Sequence, residues 1–223
     1  MHRLAAAILG MALFTGCHPE VLPMAEAPHT TPLGALHEGQ DVDGFTARAV
    51  YLDDAGHPMG ARFVHDHTGF VFDYVRLESV PQGFVWVNTV PTSDRGEPHT
   101  QEHLLLGKGN KGRAVASMQD MWLVGSSAFT TQVHTCYHFD SPSGPEVFFD
   151  ALGKQLDALL HPDYTDEEIR REVHHFGIAK DADGTLRLDE KGTVYNEMIS
   201  TSDRWWARLW RAMNQARWGA GHP

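Results

Sequence analysis

The sequence predicts an α+β protein in which a mixed or antiparallel sheet packs against helices. Short β-rich segments come first in the chain, and helical spacing of apolar residues dominates later. The 223 residues are 42% hydrophobic and 21% charged, which is typical of a globular protein with a sizeable core.

The charge balance narrows the class of partner. The formal net charge is -11, which argues against nucleic acid or an anionic membrane surface as the main ligand. A cationic peptide would suit this charge, although negative charge also serves solubility alone.

The first 43 residues are predicted to lie outside the folded body. Residues 1–16 combine a basic start with an apolar run, which is typical of a secretory signal peptide and too short for a membrane span of roughly 20 residues. Phe14–Cys17 resembles a bacterial lipobox, so we expect Cys17 to carry lipid and to anchor the protein in the bacterial envelope, facing the periplasm. Cleavage without lipid is the alternative. The composition of residues 17–43 predicts a flexible tether. The folded domain is expected to span residues 44–223.

β-branched and aromatic residues mark the predicted strands, and turn residues such as His67–Gly69 separate them. The strands are expected at residues 61–66, 70–77, 83–90, 128–131 and 133–139, the last two being candidates for an antiparallel pair.

Capping signals and apolar spacing mark the predicted helices. Pro98 suits the first turn of a helix, and Thr165 with Glu168 forms a capping box. The helices are expected at residues 98–106, 115–124, 145–160, 165–178 and 190–217, the last with a break near 200–203.

The segment His99–His103 carries the strongest chemical signal. Positions i, i+3 and i+4 of a helix share one face. His99 and His103 therefore offer two imidazoles to one Zn²⁺, and Glu102 places a carboxylate beside the metal-bound water. The pattern H-x-x-E-H is that of the inverzincins, but with 15 histidines in the chain it arises by chance about one time in twenty, so context must support it.

A catalytic zinc site needs a third protein ligand and one open position. Glu197, on a later predicted helix, is the best candidate for this ligand. Glu102 would then act as the general base and pass the proton to the leaving amine.

Two segments in the right order resemble a known family. Thr92–Leu104 is similar to the zinc signature of the pitrilysin/insulinase metallopeptidases, and Lys191–Met198 resembles the third-ligand segment of their presequence-protease-like branch. The resemblance covers roughly residues 40–218. It implies the N-terminal, zinc-bearing half of a peptidase chamber that hydrolyses unfolded or oligopeptide substrates with one zinc ion. By resemblance, the two histidines and Glu197 are the zinc ligands and Glu102 is the general base.

Two departures from the family pattern concern the substrate. Family members carry an Asn-Ala pair on the strand that grips the substrate backbone, whereas this chain has Ser127 and Ala128, and a hydroxyl is shorter than an amide and offers fewer groups. Family members also pair this half with a homologous second half, so we expect the domain to be incomplete at residue 223 and a second half or partner subunit to complete it. The alternative function is therefore a non-catalytic or partner-dependent binding or assembly subunit of a two-part peptidase.

Several other residues are assigned structural roles. Cys136 is expected to be a buried small hydrophobe. His134 and His138 are expected to be surface or edge-strand residues, with metal binding as the alternative. His65 and His67 are expected to form a polar turn cluster.

Two carboxylates and a group of tryptophans complete the candidates. Glu172 and Glu190 are expected to be solvated helix charges, with orientation of a ligand histidine as the alternative. The tryptophans are expected to lie in the core or on a docking face for the missing half; they are Trp205, Trp206 and Trp210.

Overall fold

The computed structural model describes residues 32–90 and 92–220, which form two compact units that divide after Glu78. The predicted signal peptide, Cys17 and the first part of the predicted tether lie outside the described residues. The α+β class is confirmed, because helices pack with antiparallel sheets in the described part of the chain.

The first unit contains one four-stranded antiparallel sheet with the strands in chain order. Its strands are β1 (Asp41–Val42), β2 (Phe45–Leu52), β3 (Pro58–His65) and β4 (Val71–Val75). A short 3-10 turn at Leu33–Ala35 precedes them, and Leu36 is buried against Ala47 and Ala61. Part of the segment predicted as a tether is therefore structured. Strands β1 and β2 were not predicted.

The second unit contains a three-stranded sheet, a hairpin and six helices among its described residues. The sheet has the antiparallel order β5-β7-β6, and the hairpin joins β8 to β9. The strands are β5 (Gln82–Asn88), β6 (Gly125–Thr130), β7 (His134–Asp140), β8 (His175–Lys180) and β9 (Leu186–Lys191). The helices are α1 (Glu97–Gly107), α2 (Gly109–Asp120), α3 (Pro145–Leu160), α4 (Asp166–Glu172), α5 (Thr193–Ser202) and α6 (Trp205–Trp218).

Local sequence explains where these helices begin and end. Pro98 lies in the first turn of α1, and a left-handed Gly96 precedes it. Lys108 is extended, which ends α1 and allows α2 to begin at once. The predicted capping box of α4 is present, because the Thr165 hydroxyl accepts from the Glu168 N–H and the Glu168 carboxylate accepts from the Thr165 N–H.

The core of the second unit lies between helices and the three-stranded sheet. Apolar residues of α1 and α2 contribute to it, together with the inner face of β7. Its buried members include Leu104, Leu105, Val115, Met118, Val124, Tyr137, Phe139, Phe148 and Ala151. This packing fixes α1 against β6, and the polar face of α1 is left to form a site.

Two predicted helices were wrong in part. The helix expected over residues 165–178 ends at Glu172, and the helix expected to start at residue 190 starts at Thr193. The intervening residues pair as β8 and β9 around a turn in which the Gly184 N–H donates to the Asp181 carbonyl. Cross-strand pairing therefore overrides the weak helical signal of these residues.

Candidate metal centre

The candidate centre starts on one face of α1. The rings of His99 and His103 lie 4.9 Å apart between centroids, as expected for side chains one helical turn apart. Together with Glu102 they each offer a ligand atom, and these atoms all lie within 4.8 Å of one another. Both histidines are partly exposed, whereas Glu102 is buried.

Helix α5 brings Glu197 to this face. Its Oε2 lies 3.2 Å from Nε2 of His103, and its Oε1 lies 3.7 Å from Nε2 of His99. The Glu197 carboxylate thus faces the Nε2 atom of each histidine. The Glu197 side chain is half exposed, so solvent reaches the point where the three side chains meet.

The position of α5 depends on a close backbone approach at Gly192. This residue has φ of +137°, and a Cβ at this position would lie 2.4 Å from the carbonyl oxygen of Val173. The hydroxyl of Thr193 also donates to the carbonyl of Arg171 at 3.4 Å. The last turn of α4 and the residue after it therefore support the first turn of the helix that carries Glu197.

A chain of threonine hydroxyls meets the Glu102 carboxylate. The Thr130 hydroxyl donates to Oε2 of Glu102 at 2.6 Å. The Thr135 hydroxyl, fully buried, lies 3.0 Å from that of Thr130 and 3.0 Å from that of Thr89. Burial, together with the Glu102 charge, raises the pKa of the neighbouring Tyr137 phenol. The sequence offered no signal for Thr130, because the contact joins a helix to a strand more than 20 residues later.

Glu172 differs from the expected solvated charge. Its side chain is 1% exposed; Oε2 lies 3.2 Å from Nδ1 of His103, and Oε1 lies 3.0 Å from Nζ of Lys108. Glu190, by contrast, is exposed, accepts a hydrogen bond from the Tyr195 hydroxyl and lies 3.8 Å from Nε2 of His174. Glu172 thus matches the alternative, a carboxylate in contact with a candidate ligand histidine.

Ser127 and Ala128 lie on β6, the strand that also carries Thr130. This strand is at the edge of the three-stranded sheet, and Ser127 is exposed with its hydroxyl 3.5 Å from Nδ1 of His138. A role of this pair in substrate binding stays a prediction.

The other candidates fall outside the cluster. Cys136 is buried, and burial raises the pKa of its thiol, as suits a small hydrophobe. His134 and His138 pack against the aromatic rings of Trp86 and Phe84 on β5. Within the first unit, Nδ1 of His65 lies 2.8 Å from the Thr68 hydroxyl.

The α6 tryptophans are not part of the described core. Trp205, Trp206 and Trp210 are all exposed, and α6 has no buried residue. The expectation that they lie in the core is wrong for the described part of the chain, since α6 contacts only α5 extensively.

Comparison with known proteins gives a distant relationship. No family model matches the chain. The chain is 31% identical over 173 residues to the mitochondrial presequence protease of Aspergillus oryzae. The aligned region covers 72% of this chain and 17% of that protein. The corresponding protein of Emericella nidulans is 28% identical over 174 residues, with 72% and 16% covered. An uncharacterized protein of Saccharomyces cerevisiae is 29% identical over 151 residues, with 65% and 14% covered.

These matches support a distant peptidase relationship over part of the chain. The chain spans 14% to 17% of the length of these three relatives. The relationship agrees, at this coarser level, with the resemblance of the two sequence segments to a peptidase family.

The predicted location is wrong on the same evidence. The relatives with a named function are mitochondrial proteins, which contradicts a lipid-anchored protein of the bacterial envelope with a secretory signal peptide. No helix among the described residues is long and apolar enough to cross a membrane. The signal was a short compositional pattern, and such patterns do not by themselves separate one targeting route from another.

Proposed function

We propose, from the distant link to peptidases and the geometry of α1 and α5, that this chain carries the zinc centre of a metallopeptidase. His99, His103 and Glu197 would hold one Zn²⁺, and Glu102 would be the general base. The observation that carries the proposal is the convergence of two imidazole Nε2 atoms on one carboxylate, 3.2 and 3.7 Å away, beside a buried glutamate.

The chemistry of these side chains fits zinc. Two histidines and one glutamate form a known ligand set of catalytic zinc, and imidazole with carboxylate oxygen suits a borderline metal ion. A zinc ion held there would polarise the scissile carbonyl and stabilise the negative charge that develops on its oxygen. The half-exposed Glu197 leaves the centre open to a substrate.

Glu102 would transfer a proton from the attacking water to the leaving amine. Thr130 binds Oε2 of Glu102, which leaves Oε1 available to accept a proton from the attacking water. The carboxylic acid formed in this way would then donate that proton to the leaving amine nitrogen. A buried carboxylate beside the cluster is suited to this exchange, since little solvent competes for the proton.

An extended peptide is the proposed substrate. The edge strand β6 joins Ser127 and Ala128 to Thr130, and an edge strand offers unpaired backbone groups to a peptide in extended conformation. This would place an unfolded segment or an oligopeptide along β6 and its scissile bond near Glu102.

Metal analysis tests the ligand set. The purified chain is expected to bind one zinc ion, and Glu197→Ala is expected to lower zinc affinity strongly because it removes one of three ligands. The matched control is Glu167→Gln, which removes an exposed carboxylate of α4. Absence of stoichiometric zinc, or unchanged zinc affinity in Glu197→Ala, would reject the proposal.

Hydrolysis of a fluorogenic oligopeptide tests the base. Glu102→Gln keeps the shape of the side chain and is expected to retain zinc, while kcat/KM falls on the order of 10²–10⁴-fold. A variant that retains zinc and full activity would show that another group carries the proton.

A partner-dependent binding or assembly subunit is the second candidate. It is favoured by Ser127 on the edge strand β6, because a serine hydroxyl offers a peptide backbone fewer groups than an amide side chain would. Peptide cleavage by the 223-residue chain alone would remove this candidate, whereas zinc binding without cleavage would favour it.

A further inference from the structure

We propose that Glu172 is a positioning residue for His103: it holds the proton of this ring on Nδ1, so that Nε2 presents its lone pair to the metal position. The ammonium group of Lys108 balances the negative charge of the buried Glu172 carboxylate. This inference rests on the proposed zinc centre, and it assigns a role to two residues outside the ligand set.

The two ends of the His103 ring face two different carboxylates. Nδ1 lies 3.2 Å from Oε2 of Glu172, and Nε2 lies 3.2 Å from Oε2 of Glu197. A neutral imidazole carries one N–H, and an ionised carboxylate only accepts hydrogen bonds. If Nδ1 donates to Glu172, Nε2 is the atom with a free lone pair, and a metal ion needs that lone pair.

Burial makes the Glu172 contact more specific than a surface ion pair. The side chain is 1% exposed, and a buried carboxylate without partners is costly. Each of its oxygens has a partner, His103 at 3.2 Å and Lys108 at 3.0 Å. The Lys108 ammonium is itself partly exposed. The lysine therefore stays in contact with solvent while the Glu172 carboxylate is enclosed.

The Lys108 ammonium also contributes to the charge balance of the proposed centre. Glu102, Glu172 and Glu197 carry three negative charges when ionised, and one Zn²⁺ with the Lys108 ammonium carries three positive charges. Without Lys108 the occupied centre would hold an excess negative charge in a partly buried place, which is unfavourable.

The end of α4 contacts both helices that carry the proposed ligands, α1 and α5. Glu172 ends α4 and contacts His103 of α1. Its neighbours Arg171 and Val173 approach the first turn of α5, where the Thr193 hydroxyl donates to one carbonyl and Gly192 packs against the other. A change at Glu172 therefore acts on the relative placement of His103 and Glu197 as well as on the ring proton.

The ring proton can be observed without metal. In the metal-free protein, at a pH where the ring is neutral, nitrogen NMR of the histidine side chains is expected to show His103 protonated at Nδ1. In Glu172→Ala the Nε2-protonated form, which is commoner in free imidazole side chains, is expected to gain population. Glu167→Gln, on the exposed side of the same helix, is expected to leave the spectrum unchanged. A wild-type ring protonated at Nε2 would overturn the inference.

Zinc affinity gives the second readout. Competition with a chromophoric chelator is expected to show a 10- to 100-fold weaker affinity in Glu172→Ala, as is typical when the partner of a ligand histidine is removed. Glu172→Gln retains a carbonyl acceptor of the same shape and is expected to recover part of the loss. It also replaces the alanine variant if that variant does not fold. Unchanged affinity in both variants would overturn the inference.

The two proposals fail separately. If the wild-type chain binds no zinc, the proposed function fails, and the metal-free NMR spectrum still decides whether Glu172 sets the His103 proton. If zinc binds but the ring proton and the affinity do not respond to Glu172, the zinc centre stands and the positioning role falls.

Discussion

At the scale of single residues, the hydroxyl of Thr130 occupies one oxygen of Glu102, the proposed general base, and would leave the other oxygen for the attacking water. Its hydrogen bond to Oε2 is 2.6 Å long, and Thr135 and Thr89 continue the chain of hydroxyls behind it. A general base needs one oxygen aimed at its proton donor. Thr130 therefore orients Glu102 without being a candidate for the chemistry itself.

Thr130→Val should separate metal binding from hydrolysis. The change removes the hydroxyl but nearly preserves the shape, so Oε2 of Glu102 loses its partner. A hydrogen bond to a charged group is worth about 1.5–3 kcal/mol, so we expect kcat to fall about tenfold or more while zinc stoichiometry is unchanged. Steady-state peptide hydrolysis and metal analysis measure the two quantities.

Thr89→Val is the matched control for this prediction. It makes the same substitution at the far end of the hydroxyl chain, where the side chain contacts Thr135 but not Glu102. We expect kcat to stay near the wild-type value. Equal losses in both variants would mean that the threonines stabilise the sheet rather than orient the base.

Some residues of the candidate centre are brought together by a single helix, whereas others meet only because separate elements pack together. His99, Glu102 and His103 were predictable, because the periodicity of one helix brings them to one face. The proximity of Glu197 came from resemblance to a family segment and not from spacing. The sequence gives no signal for Thr130 or Lys108 and favours a solvated Glu172, because the contacts of these residues depend on how separate elements pack.

At the scale of elements, the approach of Gly192 to Val173 holds α5 next to α4. Sequence patterns predicted α3 and the start of α4 well, since amphipathic spacing and a capping box are local signals. They failed for the hairpin of β8 and β9, whose residues are largely exposed and gain their structure from pairing. The missed hairpin lies in the chain between α4, which ends at Glu172, and α5, which carries Glu197.

Gly192→Ala should weaken both folding and metal binding. A Cβ there would lie 2.4 Å from the Val173 carbonyl oxygen, and φ of +137° is unfavourable for alanine. We expect the free energy of unfolding to fall by about 2 kcal/mol or more and zinc affinity to fall, because α5 must move. Chemical denaturation and chelator competition measure these effects.

A second glycine provides the control. Gly153 lies in α3, and a Cβ added there would have no atom within 4 Å apart from its chain neighbours and the local helix backbone, so Gly153→Ala should raise the free energy of unfolding by about 0.5–1 kcal/mol and leave zinc affinity unchanged. A loss of stability in Gly153→Ala would show that glycine replacement is harmful here for reasons other than the Gly192 contact.

The capping box of α4 predicts a specific acid sensitivity. Donation from the Thr165 N–H, together with Arg113 and the Gly109 N–H, lowers the pKa of Glu168 from 4.5 to about 2. A lowered pKa in the folded state means that the ionised group stabilises the fold above pH 4.5, and that this stabilisation is lost as pH falls towards 2. The difference in Tm between the wild type and Glu168→Gln should therefore be constant at neutral pH, shrink below pH 4.5 and vanish near pH 2. A difference that persists unchanged at pH 2 would contradict this assignment.

At the scale of the whole molecule, all proposed ligands belong to the second unit. His99, His103 and Glu197 come from two helices that are almost 100 residues apart in sequence, so an ion bound to all three would link distant parts of that unit. Ligands that bind only the folded state stabilise it by an amount that grows with the logarithm of their concentration above Kd. Metal binding should thus be visible in the stability of the protein as well as in its activity.

Zinc should raise the free energy of unfolding of the metal-free protein. At a free concentration 100 times Kd, the expected gain is about 2.7 kcal/mol. Thermal unfolding with and without a chelator measures it, and Glu197→Ala should show a much smaller gain at the same zinc concentration. An equal gain in both proteins would place the bound ion elsewhere.

The buried position of Cys136 has a consequence for the redox chemistry of the protein. The proposed centre holds its metal with nitrogen and oxygen alone, and the cysteine of the described residues lies enclosed in β7 with a raised pKa. Thiolate is the form that oxidants and alkylating reagents attack. A centre of this kind tolerates peroxide and thiol reagents that would inactivate a sulfur-ligated one, so its activity would follow the supply of metal rather than the oxidation state of its surroundings.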